Sequence, residues 1–231
     1  GKSESYGQMV WRRFKQHKLA MAGLYFLVFM YLVAIFAPFI ATQSYRETMP
    51  ADRLDGISWE HLMGTDHLGR DVFSRVVWGS RISLSIGFVA AGVSVLLGTV
   101  VGAVAGYYGG KIDNMLMRIT EAVMSFPTFF LLITIVSVVE RNIFNIMLVI
   151  GLTSWPSLAR MVRGQFLSLR EQEFVTAAKA LGASDARIIF RHILPNAMAP
   201  VIVSATLKIG GAILSESSLS FLGLGVPEPF P

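Results

Sequence analysis

Residues 19–40 run without a single charge for 22 positions, and residues 82–108 do so for 27. A bilayer core about 30 Å thick takes roughly 20 helical residues, so each run is long enough to cross one. Two uncharged runs of 18 residues follow, at 122–139 and 142–159. The first is an adequate span; the second is weaker, because Asn145, Thr153, Ser154 and Pro156 interrupt it. Residues 197–226 make a fifth candidate whose only charges are Lys208 and Glu216. Backbone groups at membrane depth find no water, and period-two alternation is absent, so the spans are read as helices. Composition agrees: with 53% hydrophobic and 15% charged residues, the chain is too apolar for an ordinary soluble domain. The first run follows basic residues but is long for a signal-peptide core and lacks a clear small-residue cleavage site, which makes it a retained span. The absence of cysteine excludes disulfides, thiolate metal sites and cysteine nucleophiles.

Lysine and arginine placement sets an orientation. Thirteen of the twenty flank one side of the five spans, in residues 1–18, 111–118 and 160–191. Six, from Arg46 to Arg141, flank the other, and Lys208 lies inside a span. The positive-inside rule puts the N-terminus and the 160–195 loop in the cytoplasm. The net charge of +5 therefore reports topology. A nucleic-acid partner is not expected, since the basic residues are scattered over membrane flanks rather than gathered in one stripe.

Residues 1–18 read as an amphipathic cytoplasmic leader with Trp11 and Phe14 at the interface. Residues 41–81 read as an external loop containing a compact turn from Gly64 to Asp71. We divide the chain into residues 1–80 (leader, first span and external loop) and 81–231 (a core containing the 163–195 loop). Gly98, Gly102 and Gly106 recur every four residues and smooth one helix face, for packing within the chain or against another subunit. Tyr107 and Tyr108 fit an interfacial aromatic belt. Ser168 with Glu171 matches a capping box, so a helix is expected to start there and end at Gly182. Ser184 is placed to cap a second short helix that Pro195 stops. Two short helices with a glycine elbow form a rigid knob, either an ordinary surface pair or a device for docking on a soluble partner.

Catalytic motifs are missing. No G-x-x-x-x-G-K-[S/T] is present: Gly1-Lys2-Ser3 has no glycine loop before it, and Gly110-Lys111 is followed by Ile112. No G-x-S-x-G elbow or H-E-x-x-H pair occurs either, so the chain is not expected to be an enzyme. His61, Asp66, His67 and Asp71 resemble a nickel set, but in a flexible loop they are read as turn residues.

Thr176-Ala177-Ala178, Gly182 and Ile193-Leu194-Pro195 resemble the "EAA" loop of binding-protein-dependent ABC importer permeases. Residues 173–184 and 191–196, Gly64-Thr65-Asp66 with Gly69-Arg70-Asp71, and residues 217–225 resemble the peptide and nickel branch of that family, in particular its C-type permeases. Thr176 replaces the glutamate that names the loop, and His192 stands where the general pattern has isoleucine. The resemblance implies an all-α, polytopic, MetI-like fold of type I ABC importers in a bacterial or archaeal inner membrane. Five spans are visible, and a sixth is expected beyond the C-terminus.

The same resemblance implies a subunit that imports di- or oligopeptides handed over by an extracytoplasmic binding protein. It works beside a second, homologous permease and two ATP-binding subunits, which hold the ATP and magnesium; this chain needs no cofactor. The docking loop for those subunits is expected at Ala177, Ala178, Leu181, Gly182, Ala183, Ser184, Asp185, Arg187 and Arg191. Arg187 and Arg191 either reach acidic groups on the partner or serve only as positive-inside charges. Ser204, Lys208, Gly211 and Ser215 recur at helical spacing, with Glu216 adjacent. They read either as a translocation-path lining for zwitterionic peptides or as structural ion-pair residues. A nickel importer of the same family and an ion-coupled secondary transporter are the alternatives; the latter needs no ATPase-docking loop.

Overall fold

A chain surrounded by hydrocarbon must satisfy each N–H and C=O within its own backbone, and these apolar runs do so as helices. A computed structural model describes residues 6–227, and of Tyr6, Gln8 and Val10 only the backbone. Lys2 of the basic leader and the Gly1-Lys2-Ser3 triplet lie outside the described residues. Apart from one isolated bridge between Thr65 and Asp71, the regular structure among the described residues is helical. Among the described residues four helices are long and apolar enough to cross a membrane, five spans if one bent pair is counted as a span. The chain divides into two units at residues 84/85, within one continuous helix.

In the first unit, α1 (Tyr6–Gln16) stacks Trp11 on Phe14 with ring centroids 5.7 Å apart. The ring of His17 caps α2 (Lys18–Ile35), accepting the Ala20 amide at 3.2 Å. Tyr25, Phe26, Leu27 and Phe29 are left exposed along it, the pattern of a helix that faces lipid. Pro38 sits in the first turn of α3 (Ala37–Ile40). The next helix, α4 (Val72–Tyr108), starts well before the uncharged run at 82, so the expected 41–81 loop ends at Asp71. The cause is a cap: Asp71 Oδ2 accepts the Ser74 amide at 2.8 Å, which fixes the first turn regardless of charge further on.

In the second unit, the glycine ridge of α4 meets α7 (Ile143–Leu169). A Cβ on Gly98 would stand 2.8 Å from Leu158 Cβ, one on Gly106 2.6 Å from Phe166 Cβ, and one on Gly102 would strike the Ala159 carbonyl oxygen. The ridge therefore packs inside the chain, as small residues let membrane helices approach closely.

The 122–139 run is not one straight span. It is split between α5 (Gly110–Met124) and α6 (Thr128–Val138), bent by 81°. Pro127, at the break, lacks an N–H and bars helical geometry to the residue before it. By contrast α7 runs unbroken through Pro156. Its expected interruptions are absorbed because Thr153 donates to the Val149 carbonyl at 2.8 Å and Ser154 to that of Ile150 at 2.6 Å, spending their hydroxyls one turn back.

The helix expected at Ser168 begins instead at Glu173, because α7 carries on through Leu169; α8 (Glu173–Ala180) has Gln172 at its N-cap without a side-chain bond. Pro195 does not stop the last helix, α9 (Asp185–Phe221). Over Ile188–Ile193 the helix widens to π-type bonding, with the Leu194 amide donating to Ile189. The ladder has thus changed step just before a residue that has no donor to offer. Tyr107, Leu158, Val162, Phe166, Val175, Ile188, Ile193 and Val201 form the core that joins α4, α7, α8 and the start of α9.

Candidate functional site

The knob between α8 and α9 is built by a glycine turn. Gly182 has φ +77, a conformation that costs other residues strain. Its amide donates to Lys179 O at 2.9 Å and the Ala183 amide to Ala178 O at 3.1 Å, the paired bonds of a Schellman motif. Ser184 then caps α9, accepting the Arg187 amide at 3.4 Å.

Of the residues expected to dock a partner, Ala177, Leu181, Gly182, Ser184, Arg187 and Arg191 are exposed, with Leu181 at 89%. Neither arginine has an acidic partner within 4 Å among the described residues. Two others have partners within the chain. Ala178 is buried in the core beneath the knob, where its small side chain helps to seat it. Asp185, although solvent-exposed, accepts the Tyr107 hydroxyl at 2.7 Å. Ala183 is half-buried against the same core.

Struts hold this end of the molecule. Arg163 donates to Asp113 at 2.5 and 2.6 Å, a two-pronged pair between α7 and α5. Arg170 donates to the Gly106 and Tyr107 carbonyls at 3.2 and 3.4 Å. The ammonium of Lys179 lies 5.8 Å from the Tyr107 ring centroid. Sequence reasoning missed Asp113 and gave Tyr107 only a place in an aromatic belt. It also passed over Phe174 and Phe190, exposed at 41% and 68%. Large aromatic residues in a segment that the charge pattern assigns to the cytoplasm were the available signal.

A cavity of about 360 Å³ is lined by α4, α7 and α9. Ser204, Lys208 and Ser215 line it, and so do Ser94, Ser154 and Ser157, which sequence reasoning did not assign to a path. Lys208 Nζ donates to the Ser154 carbonyl at 2.5 Å and stands 3.3 Å from Ser157 Oγ. Glu216 is elsewhere: it is buried and accepts the Ser220 hydroxyl at 2.6 Å. No Lys208–Glu216 pair exists among the described residues. Arg118 and Glu121 form an exposed pair at 3.9 Å.

In the 41–71 loop, Asp66 accepts the Leu68 and Arg70 amides at 2.8 and 3.0 Å and the Arg70 guanidinium at 2.7 Å. Burial pushes its carboxyl up, but the Arg70 and Leu68 donors outweigh that and hold it at about 2, against an ordinary 3.8. Asp71 feels the same competition, and bonds from Ser74 and His61 keep it below its usual value. His61 Nδ1 lies 3.0 Å from Asp71 Oδ1. These carboxylates turn to different partners, and no metal-binding group of three forms among the described residues.

Comparison with known proteins defines the family. Residues 98–228 match the family described as binding-protein-dependent transport system inner membrane component. Residues 5–56 match the N-terminal transmembrane domain of oligopeptide transport permease C. The chain is 46% identical to the dipeptide transport system permease protein DppC of Alkalihalophilus pseudofirmus, covering 95% of this chain and 72% of the relative. It is 42% identical to the oligopeptide transport system permease protein OppC of Bacillus subtilis (94% and 71%). Against the glutathione transport system permease protein GsiD of Escherichia coli the identity is also 42% (96% and 73%). Among solved structures, the inward-facing MetNI methionine ABC transporter shares the fold, with a TM-score of 0.54 at 20% identity over 63% of this chain and 73% of that one. The first family match covers more than half of the chain, and the chain belongs to the inner-membrane permease components of binding-protein-dependent transport systems.

Proposed function

We propose that this chain is one of two homologous permeases in an ATP-driven importer of di- and oligopeptides. An extracytoplasmic binding protein delivers the substrate, and two ATP-binding subunits dock on the cytoplasmic knob. The observation that carries the peptide reading is 42–46% identity, over nearly the whole chain, to permeases named for dipeptide and oligopeptide transport. The geometry supports the coupling half. An exposed surface of Phe174, Ala177, Leu181, Arg187, Phe190 and Arg191 stands on a buried core, so a push on it moves α7 and α9 together. The 41–71 loop presents Ile57 and Trp59 on the side assigned to the binding protein.

The test is uptake into proteoliposomes holding this chain, its partner permease and both ATP-binding subunits. Loaded binding protein is supplied outside and ATP inside. Labelled tripeptide should accumulate only when every component and ATP are present. Accumulation of nickel but not peptide would remove the peptide substrate. Uptake driven by an ion gradient without the ATP-binding subunits would remove the ATP-driven class.

A further inference from the structure

Two groups at the α4–α7–α9 cavity have chemistry left over. The first is Lys208. It lies near the midpoint of Leu194–Phe221, where a charge is costly unless something answers it. An ammonium has three N–H donors. Two are directed at neutral oxygens, the Ser154 carbonyl and the Ser157 hydroxyl. No carboxylate lies within ion-pair distance among the described residues. The second is Ser94. Its hydroxyl is sealed from solvent, with the residue 1% exposed, and has no hydrogen-bond partner. Serine and threonine in membrane helices ordinarily donate one turn back, as Thr153, Ser154 and Ser218 do here. Ser94 does not, and a buried polar group without a partner carries a free-energy cost that a ligand can relieve.

One cation with a spare donor, an unused hydroxyl and further serines, with no anion among them, complement a carboxylate. We infer that the cavity is a carboxylate subsite on the translocation path: Lys208 meets the C-terminal carboxylate of a passing peptide, and Ser94 with its neighbouring hydroxyls completes the hydrogen bonds. This rests on the peptide-import reading above. Ligand pockets span about 300–1,000 Å³, so 360 Å³ takes one end of a peptide rather than all of it. A transit site must also release what it binds. A lysine already bonded to neutral oxygens suits that, because those bonds re-form as the carboxylate leaves.

The experiment compares uptake of trialanine and of trialanine amide by the complete assembly, each supplied on the same binding protein so that its own preference cancels between variants. Wild type should favour the acid. Lys208→Met should raise KM for the acid about tenfold and leave the amide within about twofold, while Lys208→Arg keeps most of the preference. Ser94→Ala should raise KM for the acid severalfold while the assembly melts no lower than wild type, since only an unpartnered hydroxyl is lost. If Lys208→Met does not assemble, Lys208→Gln, which also removes the cation, carries the same comparison. An acid-to-amide ratio equal to wild type in assembled Lys208→Met, or in Lys208→Gln in its place, overturns the subsite and leaves peptide import standing. A wild type that takes up neither peptide overturns peptide import, and the subsite with it.

Discussion

Arg163 holds Asp113 by two parallel hydrogen bonds, Nε to Oδ1 at 2.5 Å and Nη2 to Oδ2 at 2.6 Å, across fifty residues of sequence. The pair ties the α7 stem below the knob to α5. Asp113 is buried and Arg163 about one-third exposed, so the geometry is better shielded than that of a surface ion pair. Arg163→Met leaves the Asp113 carboxylate buried without its partner. It should destabilise the permease by about 2 kcal/mol, the range for losing hydrogen bonds to a charged group. The double variant Arg163→Met/Asp113→Asn should recover part of that loss, because the stranded charge is gone. Thermal unfolding of the assembly in detergent reads both. Strictly additive single effects would mean that the pair does not act as a unit.

The glycine ridge makes a sharper contrast. A side chain at Gly102 meets the Ala159 carbonyl and comes within 2.7 Å of Val162 Cβ, whereas a Cβ on Gly92 of the same helix meets nothing within 4 Å. Gly102→Val must therefore push α4 and α7 apart, at about 1–3 kcal/mol or more for overpacking. Gly92→Ala should be neutral or mildly stabilising, since alanine is the better helix former. Folded yield and melting temperature, measured side by side, give the comparison. Equal melting of Gly102→Val and wild type would show that the helices are not in backbone contact.

Acid should open the 41–71 loop in a definite window. A carboxylate whose folded pKa lies below its unfolded value stabilises the fold above the unfolded value, and that contribution fades as pH falls through the folded one. For Asp66 the window runs from the ordinary 3.8 down to about 2. Protease protection of the loop should therefore hold from neutral pH to the upper edge and fall within the window. Asp66→Asn should weaken protection at pH 7 and flatten the acid response. An unchanged acid profile in that variant would assign the transition to another group.

The prolines show how far the sequence could be read. Each is locally the same group, with one missing donor and a ring that crowds the carbonyl four residues back. Yet Pro127 accompanies an 81° bend, Pro156 and Pro200 ride inside continuous helices, and Pro195 follows a π-helical step. What differs is the surroundings: Pro156 is buried inside a helix that stays continuous, while Pro127 is exposed at a break between two. Charge-free runs and four-residue glycine spacing are local signals and were visible. The partnership of Tyr107 with Asp185, 78 residues apart, exists only once α4 and α9 have packed, and no window of sequence contains it. Ser94 was hidden for a related reason. A serine in an apolar run reads as tolerated polarity until its lack of a partner can be seen.

Gly182 gives the most direct trial of the docking role proposed for the knob. Proline fixes φ near −65° and removes the amide hydrogen. Gly182 has φ +77 and donates to Lys179 O at 2.9 Å, so Gly182→Pro breaks both the turn and its bond. The damage stays local, because a Cβ there meets nothing within 4 Å and the core beneath is formed by other residues. The assembly should therefore still form, while Leu181 and Arg187 lose their fixed relation across the elbow. ATPase activity stimulated by peptide-loaded binding protein should fall at least about tenfold, the effect of misplacing a docking surface by about 1.4 kcal/mol. Gly182→Ala, strained in φ by about 1–2 kcal/mol but keeping its amide, should fall between the two. Stimulation equal to wild type in an assembled Gly182→Pro complex would mean that the ATP-binding subunits push elsewhere on the permease, and the knob would lose its assignment.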